Sequence, residues 1–306
     1  MTTTTALTRR DDMTPVIELV TDGLTSEHSK RAYRRSLERF LTWYNDQGRP
    51  GMTKATVNRY RAQLVGAGLR PATVNQILSA VRRLAVEAAD NGYLDPAAAD
   101  AIGRVEGVRQ DGRRAGNWLT KDQAQQLLTT PDTSTRKGLR DRAILAVMLG
   151  GGLRRSEVAA LTFEHVQQRD GRWVIVDLEG KRRRVRSVPI PSWVKSAIDH
   201  WATSAGLTTG RVFRSVNKGG RVTGEDMTPQ AVYDVVAEHA AAAGLDVAAH
   251  DLRRTFAKLA HKGGAGLDQI QLTLGHSSIM TTERYVGADQ DFTSAPCDVL
   301  GLTLWR

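Results

Sequence analysis

Between positions 250 and 285, three short motifs supply two histidines, an adjacent arginine pair and a tyrosine. The run reads His250-Asp251-Leu252-Arg253-Arg254-Thr255-Phe256-Ala257, then Leu274-Gly275-His276-Ser277-Ser278, then Thr281-Thr282-Glu283-Arg284-Tyr285. Such side chains can hold a phosphate, move its protons and attack its phosphorus: guanidinium forks fit phosphate oxygens, imidazoles exchange protons near neutral pH, and a phenol becomes a nucleophile once a base takes its proton. Leu252, Phe256 and Leu259 recur at helical spacing and face a core, with Gly263-Gly264 closing the helix. His250 and Arg253, three residues apart, share another face and can point at one ligand. The same run also reads as a basic helix surface with a capping histidine, because charged runs usually mark solvated faces.

The rest of the chain must position these groups. At 306 residues it is long enough for one large or two moderate domains with real cores. A formal charge of +10 points to a polyanionic partner, nucleic acid before a membrane surface. The bases are mostly arginine, which suits phosphate oxygens and equally reflects a GC-rich genome. No apolar run reaches the roughly eighteen residues of a spanning helix. The single cysteine, Cys297, excludes an internal disulfide and a multi-cysteine zinc site. Together these features predict a soluble, cytoplasmic protein with no membrane partner.

Taken in order, residues 1–24 read as a flexible polar tail without the apolar stretch of a signal peptide. Residues 25–102 read as a compact helical domain. Its first helix carries Tyr33, Leu37, Phe40, Leu41 and Tyr44 on one side, and Lys30, Arg31, Arg34 and Arg35 on the others. Helices follow from Thr53, from Pro71 and from Asp95-Pro96. Residues 103–117, with four glycines and no periodicity, read as a linker. Beyond it, Thr120 with Gln123 forms a capping-box pattern, and a long helix ends at Gly150-Gly151-Gly152. Two β-rich runs, 172–178 and 185–190, predict a hairpin with Lys181 at its tip. The fold class is therefore mainly α with a small antiparallel β-sheet.

Three separated features occur in one order: Gly152-Leu153-Arg154-Arg155-Ser156-Glu157, then Gly180-Lys181 followed by Arg186 and Val188-Pro189-Ile190, then the run from His250 to Tyr285. With them the sequence resembles the tyrosine recombinase (phage integrase) family, and within it the Xer-like two-domain members, from about residue 25 onward. The resemblance implies an all-helical, SAM-like core-binding domain at 25–102 and an α+β catalytic domain at 118–287. It also implies the roles. Tyr285 would be the nucleophile that leaves a 3′-phosphotyrosyl bond, with His250 as its base. Arg154 and Arg253 would clamp the non-bridging oxygens, His276 would donate to the same phosphate, Lys181 would protonate the leaving 5′-oxygen, and Glu157 would orient Arg154. No metal and no cofactor is implied. Lys181 is followed by Arg182, Arg183 and Arg184 where the family often has glycine or a polar residue, so its assignment rests on less than the others.

The implied partner is double-stranded DNA carrying a specific site, bound as a homotetramer on paired sites in the nucleoid, with accessory proteins left open. Lys30, Arg31, Arg34, Arg35, Arg182, Arg183, Arg184 and Arg254 are the expected DNA contacts. Residues 288–306 form a C-terminal tail that either docks on a neighbouring protomer or folds back on its own domain. Neither a nucleotide-binding Gly-x-x-x-x-Gly-Lys-Ser/Thr loop nor a His-Glu-x-x-His zinc motif is present. Two other functions stay open: type IB topoisomerase-like relaxation, and DNA binding without catalysis.

Overall fold

Side-chain caps set many helix starts in the computed structural model, which describes residues 14–109, 117–179 and 185–287. Thr53 accepts from the Thr56 amide at 3.3 Å to open α3 (Lys54–Gly66), and Asp95 accepts from the Ala97 amide at 2.7 Å to open α5 (Pro96–Gly103). Ser26 caps α2 (Glu27–Asp46), and Pro71 takes the first position of α4 (Pro71–Asp90), where a missing amide proton costs nothing. These helices belong to the first of two units, Met1–Arg113. Leu37, Phe40, Leu41 and Tyr44 of α2 are buried with Val74, Leu78, Val81 and Leu84 of α4. Each such side chain contributes roughly 1.5–3 kcal/mol on burial.

The first unit departs from the sequence reading at both ends. The expected tail contains a helix, α1 (Thr14–Asp22), whose Ile17 and Val20 join this core against α2 and α4. At the other end the expected linker is partly docked. Val105 lies in the same core, and Asn75 clasps the Val108 backbone in both directions, at 2.9 and 2.8 Å. Residues 110–116 lie outside the described residues.

In the second unit, Arg114–Arg306, α6 (Lys121–Thr129) begins with the expected capping box of Thr120 and Gln123. Helix α7 (Arg136–Gly151) runs through the core and packs on α9 (Ser192–Ala205). It ends at Gly152 with φ 62°, where a Cβ would strike Leu274 and Phe256 at 2.8 Å. Only glycine lets the chain turn there while those two side chains press on it. The turn leads into α8 (Arg155–Ala160).

The sheet is antiparallel in the order β1 (Val166–Arg169), β2 (Arg172–Glu179), β3 (Val185–Ile190), with Ile175 opposite Val166 on one side and Val188 on the other. Strand β1 was not expected, although Asp170-Gly171, with φ 49° and 73°, is the type I′ turn that tightens a two-residue hairpin. A second small ladder, β4 (Ser215–Val216) with β5 (Val222–Thr223), was also unforeseen. The β2–β3 hairpin is present. Its tip residues 180–184, and with them Lys181, Arg182, Arg183 and Arg184, lie outside the described residues, as do the C-terminal residues 288–306.

Helix α10 (Pro229–Ala242) is capped by Thr228, and α11 (Ala249–Lys262), α12 (Leu267–Leu274) and α13 (Ile279–Val286) complete the unit. Tyr285 was expected beyond the last regular helix. It lies inside α13, which packs on α11 and α12. Among the described residues no helix is long and apolar enough to cross a membrane.

Candidate active site

Four backbone segments of the second unit deliver the site: the turn from α7 into α8, strand β3, the first turns of α11, and the α12–α13 loop with α13. Arg154 stands at the N-cap of α8. Its amide donates to Glu157 Oε2 at 2.8 Å and its Nη1 donates to Oε1 at 2.7 Å, so one carboxylate fixes both backbone and guanidinium. About a third of the Arg154 side chain remains exposed. Glu157 also receives Arg186 of β3, Nη1 and Nη2 each at 2.8 Å, while Arg186 Nε donates to the Thr273 carbonyl at 2.8 Å. Burial alone would raise the Glu157 carboxyl, but hydrogen bonds and charge from Arg186, then Arg154, outweigh it and hold the pKa at about 2.

Arg253, on α11, is 1 % exposed. Its Nη1 donates to the Gly152 carbonyl at 2.7 Å and its Nη2 to the Leu274 carbonyl, while Nε is buried without a partner. Burial and the nearby Arg154 charge push its pKa down to about 9, which leaves it cationic at neutral pH. Two carbonyls from different segments thus set the plane of this fork.

One turn earlier on the same helix, His250 meets the tyrosine. Tyr285 Oη lies 2.5 Å from His250 Nε2. His250 is lowered below the ordinary histidine value of 6.5, by desolvation against the cleft wall and then by Arg254 and Arg253. A neutral imidazole so placed accepts the phenolic proton. His250 and Arg253 line one cleft of about 410 Å³ with Arg154, Arg155, Ser156 and Tyr233.

His276 closes the arrangement. Gly275, with φ 63°, ends α12, and a Cβ there would strike Arg186 Cδ at 2.9 Å. Gln271 clasps the next residue, accepting from the His276 amide and donating to its carbonyl, both at 3.1 Å. The imidazole lies edge-on to the Tyr285 ring, 4.8 Å between centroids. Its Nδ1 is 2.9 Å from Thr282 Oγ1, and its Nε2 is buried with no partner. Burial, then Arg253 and Arg154, push its pKa down to about 4.

The structure therefore brings Arg154, Glu157, His250, Arg253, His276 and Tyr285 into one place. Arg254, expected on DNA, is partly buried: Nη1 pairs with Asp251 Oδ1 at 2.6 Å, and the guanidinium lies over the Tyr285 ring, 5.4 Å from its centroid. Arg31, Arg34 and Arg35 are exposed on α2 in the first unit, and Lys30 pairs with Glu27 at 3.3 Å. Sequence reasoning assigned no role to Arg186 or Thr282. An arginine amid the β-branched and apolar residues of 185–190 was the available signal for Arg186, and nothing local marked Thr282. Among the described residues no cluster of three or more His, Cys, Asp or Glu side chains could hold a metal.

Comparison with known proteins covers both units. The model of the phage integrase family matches residues 117–291, and that of the phage integrase N-terminal SAM-like domain matches residues 17–92. Tyrosine recombinase XerD of Pseudomonas aeruginosa is 29 % identical over 286 residues, covering 89 % of this chain and 92 % of that protein. Tyrosine recombinase XerC of Pelobacter propionicus is 30 % identical, covering 90 % and 89 %. Among solved structures, the XerH site-specific recombinase bound to a palindromic difH substrate, a post-cleavage complex, matches with a TM-score of 0.69 at 18 % identity, over 93 % of this chain and 88 % of that one. A lambda integrase dimer bound to a COC′ core site matches with a TM-score of 0.68 at 16 % identity, over 91 % and 78 %.

Proposed function

The chain belongs to the phage integrase family, the tyrosine recombinases, and on that premise we propose that it cleaves and rejoins DNA strands at a specific site through Tyr285. The observation that carries this reading is the 2.5 Å contact between Tyr285 Oη and His250 Nε2, with Arg154, Arg253 and His276 close by.

The geometry supports the following chemistry. His250 takes the phenolic proton, and the Tyr285 oxygen attacks phosphorus. A P–Oη bond forms and the bond from phosphorus to the 5′-oxygen breaks, leaving a 3′-phosphotyrosyl enzyme and a 5′-hydroxyl. Negative charge grows on the non-bridging oxygens in the transition state. Arg154 and Arg253, already fixed by Glu157 and by two backbone carbonyls, meet that charge without reorganising. Preset donors of this kind are worth about 3–4 kcal/mol each in water-excluded sites. His276 supplies a neutral donor to the same phosphate. The proton for the leaving oxygen is assigned to Lys181 through the family pattern. Rejoining is the reverse sequence with a new 5′-hydroxyl, and the phosphotyrosyl bond conserves the energy of the broken one, so no nucleotide is consumed.

On this reading double-stranded DNA is the partner. The first unit, with Arg31, Arg34 and Arg35 exposed, is its non-catalytic grip, and two sites pair within a homotetramer in the nucleoid. The test begins with selecting the site from a randomised duplex library by binding to Tyr285→Phe. A plasmid carrying two copies is then incubated with wild type. Deletion or inversion products, with strands resealed, are expected. Relaxed topoisomers without any exchange would indicate a topoisomerase, and nicked or linear products that never reseal would contradict the reading.

A further inference from the structure

We propose that Arg186 is a positioning residue for strand cleavage: from β3 it aims Arg154 through the Glu157 carboxylate and holds the turn that presents His276, so that two phosphate donors from different segments keep one spacing. The proposal rests on the tyrosine recombinase reading and concerns a side chain that acts through others.

Every guanidinium nitrogen of Arg186 is engaged, and together they reach two other segments. Nη1 and Nη2 donate to Glu157 Oε1 and Oε2, each at 2.8 Å, in the two-pronged geometry that fixes the plane of a carboxylate as well as its position. Arg154 depends on that plane. Its guanidinium is held at Nη1 by Glu157 Oε1 at 2.7 Å, and about a third of the side chain is exposed. The Arg154 amide fixes only Oε2. Without Arg186 the carboxylate would turn about its own side-chain torsions and carry the Arg154 guanidinium with it.

The remaining nitrogen works on the other side. Nε donates to the Thr273 carbonyl at 2.8 Å, in the last turn of α12, where carbonyls lack helical partners. The next carbonyl, that of Leu274, accepts from Arg253 Nη2. Arginines from β3 and α11 therefore close the end of this helix together. Gly275 follows against the Arg186 stem, where a Cβ would come within 2.9 Å of Cδ, and His276 is the next residue. The Arg186 side chain is 9 % exposed and that of Glu157 6 %, so these bonds form where water competes little. Neutralising Glu157 would need only one cation beside it, and Arg154 already is one. The fork on both oxygens and the reach to Thr273 are what a positioning role adds.

Arg186→Met keeps most of the stem and removes every donor. Arg186→Lys keeps the charge, but an ammonium cannot hold both carboxylate oxygens and the Thr273 carbonyl at once. In single-turnover cleavage of a nicked duplex bearing the selected site, at saturating enzyme, both variants should be slower than wild type by about tenfold to a hundredfold, the loss typical when a partner that orients a functional group is removed. DNA affinity should be unchanged. Stability that lysine regains over methionine, read by urea unfolding, should come without the rate, whereas a purely structural arginine would have the two recover together. Arg186→Met combined with Glu157→Gln should lose less than the product of the two single losses, because both act on Arg154. Nitrogen NMR of the wild-type guanidinium groups, without DNA, should show the two Nη atoms of Arg186 as distinct, slowly exchanging signals. A freely rotating Arg186 guanidinium in wild type overturns the proposal even if neither variant folds. So does cleavage at the wild-type rate by either variant, a loss that saturating enzyme removes, rate that returns with stability in the lysine variant, or full multiplication of the two losses. A wild type that forms no covalent adduct with the duplex overturns the recombinase reading beneath the proposal; an adduct-forming wild type beside a normal Arg186→Met overturns this proposal alone.

Discussion

Two buried carboxylates in the second unit sit among cations and histidines, and they are finished differently. Asp141, on α7, is fully buried and satisfied on both oxygens. Arg140 donates to Oδ1 at 2.9 and 2.7 Å, while Lys137 and His239 reach Oδ2 at 3.0 and 3.1 Å. Glu157 is as thoroughly paired, but the groups around it are not closed. Arg154 keeps a third of its side chain in solvent, Arg253 keeps a buried Nε unpaired and His276 keeps Nε2 unpaired. Unpaired arginine Nε atoms occur elsewhere too, at Arg82, Arg83 and Arg142, so they alone mark nothing. The difference is that the surplus donors around Glu157 converge beside one phenol. A cluster that satisfies itself is a strut; one that holds donors in reserve is prepared for an anion.

Substitutions on the two sides should therefore fail in different currencies. The largest effect is expected at Arg253. Arg253→Lys keeps a charge but cannot span the Gly152 and Leu274 carbonyls and still present further N–H groups. Single-turnover cleavage should fall by about 10²–10³ with DNA affinity nearly intact, and a parallel loss of affinity would make Arg253 an anchor only. Next, Asp141→Ala strands Arg140, which is 5 % exposed, and should cost about 3–5 kcal/mol in urea unfolding, while the folded fraction cleaves at the wild-type rate. Slower cleavage by the folded enzyme would erase the contrast between the clusters. Glu157→Gln keeps a hydrogen-bonding shape but removes the charge shared by Arg154 and Arg186. Cleavage should drop by about tenfold to a hundredfold, a loss absent from the aspartate variant.

The smallest effect is a displacement on the pH axis. His250 must be neutral to accept the Tyr285 proton, and a base with a lowered pKa stays neutral to lower pH. The acid limb of the cleavage rate should therefore fall below the ordinary histidine value of 6.5. A limb at or above 6.5 would show that the base is another group or is not depressed.

How much of this was legible follows from the range of the interactions. Apolar stripes on α2 and α4, the Thr120–Gln123 box and the His250–Arg253 spacing are local, and the sequence displays them directly. Helix α1 escaped because Ile17 and Val20 follow a threonine-rich start and are held by burial against α2 and α4. Strand β1 escaped although Asp170-Gly171 signalled its turn. Arg186 escaped because its partners, Glu157 and Thr273, lie 29 and 87 residues away, and no local spacing encodes such a bridge. Thr282 escaped because one threonine in a Thr-Thr pair looks like any other until the fold puts an imidazole beside it.

The central claim is that Tyr285 is the nucleophile. Its most direct test is a nicked suicide duplex carrying the selected site, incubated with wild type and with Tyr285→Phe in the absence of divalent metal, and resolved by denaturing electrophoresis. The account predicts a protein–DNA adduct with wild type, attached through a 3′-phosphate, and none with Tyr285→Phe despite equal binding. An adduct that persists in Tyr285→Phe would contradict it.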